Sequence, residues 1–224
     1  MASESVPANE DIVLACAFIA DEEKRRQILS LYAFLETLRD IPNRVSDPLM
    51  GEIRLRWWWE AIEEIDHGRP VRYHPLTDEL KSLIVTHGLA PQAFYDLIEG
   101  QMPLLDKGEL MIKAALGAVD RGEAIVARLA AALLDSSAEA APLLATSRLY
   151  GLAGLKARRG LSDAGETERA HLHREAAEAM RNLPVTLMPL ALPAALGAGI
   201  WRGRPAGPLA KRARLFWAFV SGRI

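Results

Sequence analysis

Glu36 and Asp40 stand four residues apart in the run Leu31–Arg44, and on a helix that spacing points two carboxylates the same way. Paired carboxylates of this kind are oxygen ligands for Mg²⁺, and Asp47 lies nearby as a third. The stretch also carries cations. Arg39 is four residues from Leu35 and seven from Tyr32, which puts it on the inner stripe, and Arg44 follows. The two guanidiniums neutralise the acids, and the plainer reading is a solvated helix face with ion pairs. A second group of cations, Lys156, Arg158 and Arg159, has the chemistry to grip phosphate without metal. At the end of a helix the same residues are equally suited to face the negative pole of the dipole.

Other reactive types are scattered. His74, His87, His171 and His173 have no Cys or acid at ligand spacing, and His171 and His173, two apart, do not share a helix face. No Ser-His-Asp set and no Walker-type glycine loop is present. The single cysteine, Cys16, lies in the apolar run Ile12–Ala20 and reads as a small buried hydrophobe, natural in a reducing compartment.

The elements that hold these residues read as helices. Asp21 caps a helix with Glu22 and Glu23 in its first turn, and Ile28, Leu31, Tyr32 and Leu35 recur at helical spacing until Pro42. Ser46-Asp47-Pro48 starts another, running through Met50, Ile53, Trp57, Ala61 and Ile65 to His67-Gly68. The adjacent Trp57, Trp58 and Trp59 sit 100° apart, so at least one reaches the surface or an interface. Further helices are expected at Thr77–His87, Pro91–Met102, Lys107–Leu134, Ala138–Arg158, Asp163–Asn182 and Gly207–Val220. No period-2 strand run and no repeat occurs. The expectation is an all-α fold, one domain over residues 1–224.

Half of the 224 residues are apolar and only 6% aromatic, with Ala and Leu dominant, which favours helices in a globular chain. The net charge of −2 is unevenly spread. Acids crowd the first 66 residues, whereas 202–224 holds Arg202, Arg204, Lys211, Arg212, Arg214 and Arg223 without an acid. With Trp201, Phe216, Trp217 and Phe219, this basic segment (about 201–224) resembles an interfacial amphipathic helix; the alternative is that its aromatics pack on the bundle. Leu183–Ile200 is uncharged but interrupted by Pro184, Pro189 and Pro193, so a broken buried helix is expected there rather than a membrane span. The opening residues carry acids where an export signal needs positive charge. A cytoplasmic protein with peripheral membrane contact, and no nucleic-acid partner, is the expectation.

The block Leu31–Ile65 resembles the opening of a squalene/phytoene synthase. Tyr32, Phe34, Leu38, the Arg54–Trp59 run and Pro70 fall in the family's order, and a weaker likeness extends over most of residues 11–196. The resemblance implies an isoprenoid-synthase-like bundle with a central cavity, in which two Asp-x-x-x-Asp helices hold Mg²⁺ and diphosphate. On that pattern the first pair falls on Arg39 and Asn43. The second falls where the chain reads Lys156, Ala157, Arg158, Arg159, and Asp163 and Glu166 come too late. Cations at both sites repel magnesium. The run Leu38–Trp59 looks more like the aspartate-poor branch that includes the mitochondrial complex I assembly factor of phytoene-synthase type.

What this resemblance implies is a catalytically degenerate protein without cofactor, binding an isoprenoid or lipid or assisting a respiratory-complex subunit or assembly protein near a membrane. Tyr32, Arg39, Asn43, Lys156, Arg158 and Arg159 are then ligand-binding candidates. The alternative is a divergent prenyl-diphosphate transferase using Glu36, Asp40 and Mg²⁺.

Overall fold

The computed structural model describes residues 9–162 and 165–224. The expectation about the opening residues falls largely outside this range, as does that for Asp163. Among the described residues the chain is helical throughout, without a strand.

The first helix, α1 (Glu10–Cys16), is capped by Asn9. The longest, α2 (Glu22–Arg44), starts where Asp21 accepts from the Lys24 backbone N–H at 3.0 Å. It then runs past Pro42 rather than ending there. Proline removes a helical donor. The Pro42 carbonyl takes a hydrogen bond from Lys107 Nζ, which ties the exposed end of the helix to the loop after residue 104.

Asp47 caps α3 (Pro48–Asp66), with proline in the first turn. Its buried face is Gly51, Leu55, Trp58, Ala61, Ile62 and Ile65. Met50 and Ile53, on the stripe expected from spacing, are exposed instead, because this helix carries apolar residues on more than one side and α2 covers only one of them. Trp58 is buried, and Trp57 and Trp59 are half-buried.

Helix α4 (Pro75–Lys81) continues into one π-helical turn, Ser82–Thr86, and is followed by α5 (Pro91–Glu99) and a short 3₁₀ turn at Met102–Leu104. The expected long helix from Lys107 is two helices, α6 (Ile112–Asp120) and α7 (Glu123–Leu134), broken at Arg121-Gly122. Next come α8 (Leu143–Arg159) and α9 (Glu166–Arg181). The proline-rich stretch forms a 3₁₀ turn at Val185–Leu187, then α10 (Met188–Ala191) and α11 (Ala194–Trp201), with Leu187, Leu190 and Leu192 buried. It is the broken buried helix its prolines require, and no helix among the described residues is long and apolar enough to cross a membrane. The chain continues to α12 (Pro208–Ser221).

Two helices organise the packing. α2 lies against α1, α3, α4 and α7, and α8 lies against α6, α7, α9 and α11. Ile28, Leu31, Phe34, Leu35 and Leu38 of α2 are fully buried. Phe34 meets Trp58 edge-on at 5.2 Å and Phe94 at 6.1 Å, joining α2 to α3 and α5. Cys16 is buried, and burial pushes its thiol up to about 12. Arg148 grips Asp120 through two hydrogen bonds of 2.8 and 2.7 Å, fixing α8 to α6.

Two outcomes follow from this packing. Phe34→Ala, which leaves a cavity between three aromatic-lined helices, is expected to cost about 3–5 kcal/mol in urea unfolding. His74 supplies the second. Its Nδ1 accepts from the Leu76 N–H at 3.1 Å, its ring lies against Trp57 and Trp58, and burial lowers its pKa. The neutral ring is the one the fold uses. Stability is therefore full above the unfolded-state pKa and falls as pH drops toward the lower folded value. Denaturation midpoints measured from pH 7 to 5 will decline less in His74→Asn, which keeps a cap without a titrating group.

Candidate functional site

The inward face of α2 delivers Arg39 to the junction of α2, α7 and α8, as its place one turn beyond Leu35 requires. The side chain is 11% exposed and meets Glu123, itself 7% exposed, in a close ion pair. Its other nitrogen, Nη1, donates to Glu36 Oε1 at 2.8 Å. Burial opposes the charge on Arg39, but Glu123 and Glu36 outweigh it and raise the pKa further above its ordinary value.

Glu123 opens α7 immediately after the break at Gly122, and Gly151 of α8 makes room for it. A methyl at residue 151 would come within 2.6 Å of the Glu123 carboxylate and 2.7 Å of Val119. A methyl at residue 122 would crowd the Ala118 carbonyl at 3.1 Å but would meet Arg39 only at an ordinary 3.8 Å.

The remaining candidates do not converge on one point. Glu36 turns in to Arg39, whereas Asp40 turns out to Arg44 at 2.7 Å. The displaced carboxylate pair is thereby split between two arginines. Asn43 is exposed at the rim. Tyr32 is buried two turns along α2 from Arg39, where burial raises its pKa, with Cys16 and Glu123 adding to the effect. Arg159 is used by the backbone, donating to the carbonyls of Leu104 and Asp106 at 2.7 Å each. Lys156 faces elsewhere and sits 5.6 Å over the ring of Trp201, which is buried.

Arg158 keeps contact with solvent, lies back over Gly154 and lines the same hollow as Arg39. Crowding by the surrounding protein lowers its pKa, and the Arg39 charge adds to that.

The hollow between Arg39, Asn43, Gln101, Glu123, Arg158 and Arg159 has a volume of about 20 Å³, room for about one water molecule. A drug-sized ligand takes a pocket of roughly 300–1,000 Å³. Gln101 is 1% exposed, its amide donates to the Leu97 carbonyl at 3.4 Å, and its Oε1 has no protein partner among the described residues. One water placed in this hollow would satisfy that oxygen.

Sequence reasoning missed Glu123 and Gln101. The signals were present: Glu123 is a lone acid opening the stretch Ala124–Leu134, which is apolar except for Arg128, and Gly151 and Gly154 stand inside the helix 143–159. Among the described residues no three His, Cys, Asp or Glu side chains gather in a way that could hold a metal ion.

Residues 8–116, just under half the chain, match the family model for squalene/phytoene synthase. The matched segment carries Tyr32, Glu36, Arg39, Asp40 and Asn43 but ends before Glu123 and the basic end of α8. No curated protein matches the chain.

Removing one member of the buried pair strands its partner. Arg39→Leu or Glu123→Leu alone is expected to lower unfolding free energy by about 3–5 kcal/mol, and the double substitution to recover most of the loss. A double-mutant cycle in urea measures this; additive losses would show that the two groups are not coupled.

Proposed function

We propose that this protein is a catalytically degenerate relative of the squalene/phytoene synthases that acts by binding, in an assembly role near a membrane, rather than by condensing prenyl diphosphates. The observation that carries this reading is Arg39, a buried cation paired to Glu123 and Glu36 where the resemblance calls for a metal-binding aspartate. Guanidinium does not deprotonate in proteins, so the positive charge is permanent. Divalent ions placed beside it meet repulsion from Arg39 and Arg158, and the two nearest carboxylates are already neutralised.

Without metal the diphosphate must leave with its full charge, which forfeits several kcal/mol of transition-state stabilisation. The space beside Arg39 also argues against turnover of a prenyl diphosphate there. At about 20 Å³ it does not admit an isoprenoid chain, so a lipid or isoprenoid partner meets the outside of this fold or a more open form of it. A role beside a respiratory-complex subunit or assembly protein is the one the aspartate-poor branch of the resemblance implies, and helices used as a rigid surface satisfy it without chemistry.

Purified protein incubated with farnesyl or geranylgeranyl diphosphate and Mg²⁺ or Mn²⁺ is expected to give no condensed product above a protein-free control. Multiple turnovers lost in a still-folded Glu36→Ala or Asp40→Ala variant would overturn the reading in favour of a divergent prenyltransferase.

A further inference from the structure

The outer face of α12 carries four large exposed apolar side chains with arginines beside them. Leu209, Phe216, Trp217 and Val220 are 80%, 60%, 67% and 63% exposed. At about 100° per residue, Leu209, Ala213, Phe216 and Val220 share an arc of roughly 60°, and Trp217 and Ala210 extend it to roughly 120°. Arg212 lies just beyond one margin of this stripe and Arg214 just beyond the other.

The opposite side is committed to the bundle. Leu215 and Ala218 are buried, and Phe219 packs on Phe18 with ring centroids 4.7 Å apart. Lys211 reaches Glu10 and Asp11 of α1 at 2.7 Å each. Of the four aromatics expected at an interface, Trp201 and Phe219 thus belong to packing, whereas Phe216 and Trp217 are exposed.

We propose that α12 docks in the plane of an anionic lipid bilayer, with Leu209, Phe216, Trp217 and Val220 entering the headgroup boundary and Arg212 and Arg214 contacting lipid phosphates. The charge pattern selects this occupant. The helix contains no acid. Arg212 lies near enough to Glu10 to help Lys211 lower its pKa, and the Arg214 guanidinium rests beside Gly199, but both side chains are exposed and neither closes a salt bridge among the described residues. An apolar stripe with one arginine at each margin fits a surface that is apolar within and negative at its edge. A protein partner would need acids on both margins of an apolar ridge. The inference rests on the reading of a protein that works beside a membrane, and it names the surface that touches it.

The test is flotation of the full chain with vesicles of phosphatidylcholine alone and of phosphatidylcholine with an equal part of phosphatidylglycerol. Binding to the anionic vesicles is expected to exceed binding to the neutral ones by about tenfold or more and to weaken as salt is raised. Phe216→Ser/Trp217→Ser and Arg212→Gln/Arg214→Gln each alter exposed positions, the second without placing a new acid near Glu10. Each is expected to lose about tenfold in binding with the thermal midpoint unchanged.

Equal, weak flotation with both vesicle types would overturn the proposal, as would anionic-lipid binding that both variants retain. A concentration-dependent dimer abolished by Phe216→Ser/Trp217→Ser, without vesicle binding, would reassign the stripe to a second copy of the chain. Neither result bears on turnover of prenyl diphosphates, so the degenerate site and the docking helix stand or fall separately.

Discussion

A charged group that cannot be neutralised has been placed inside a helical bundle, and the surrounding structure has to compensate it. An isolated ion in a protein interior costs several kcal/mol even after relaxation, and only a well-made pair with further hydrogen bonds offsets that. Arg39 therefore requires Glu123 and Glu36. Glu123 requires that α7 begin where it does, after Gly122, and that α8 present a glycine at residue 151. The registers of three helices are thus coupled through one guanidinium. Apolar packing alone would tolerate small slides among Leu, Ala and Val, but a buried ion pair tolerates far less.

The same pair accounts for what lies around it. With Arg39 compensated, Arg158 has no carboxylate left to meet and stays in contact with solvent at the edge of the hollow. Arg159 and Lys107 hold the segment after Leu104 across this end of the bundle by bonding its carbonyls and that of Pro42. Charged side chains that in another protein would await an anionic ligand here bind the protein's own backbone. The interior of this end is small and polar because three long cationic side chains and their partners fill it.

Much of the fold was legible because it depends on local rules. Asp21 and Asp47 cap the helices their sequence positions announce, and the prolines after Leu183 break a buried segment in place. The break inside residues 107–134 was missed because apolar, Ala-rich sequence continues on both sides of Gly122 and a single glycine inside such a pattern is often tolerated. The exposure of Met50 and Ile53 was hidden for a different reason. Periodicity finds an apolar stripe, but which of two stripes is covered depends on the neighbouring helix. At the site, Arg39 was found from its spacing to Tyr32 and Leu35. Its partner Glu123 lies 84 positions away in sequence, and no local pattern links the two.

The clasp between α1 and α12 joins residues made at very different moments. Lys211 and Glu10 are 201 positions apart. During synthesis at about 5–20 residues per second, α1 waits roughly 10–40 s for α12 to emerge. Through that interval Asp11 and the ring of Phe18 lack the Lys211 and Phe219 that cover them in the finished protein. These contacts, about 200 positions apart, are then among the last to form, and closing so long a loop is a slow kind of step. Until it closes, a nascent chain exposes one edge of the bundle, a time-limited target for chaperones that the folded protein no longer offers.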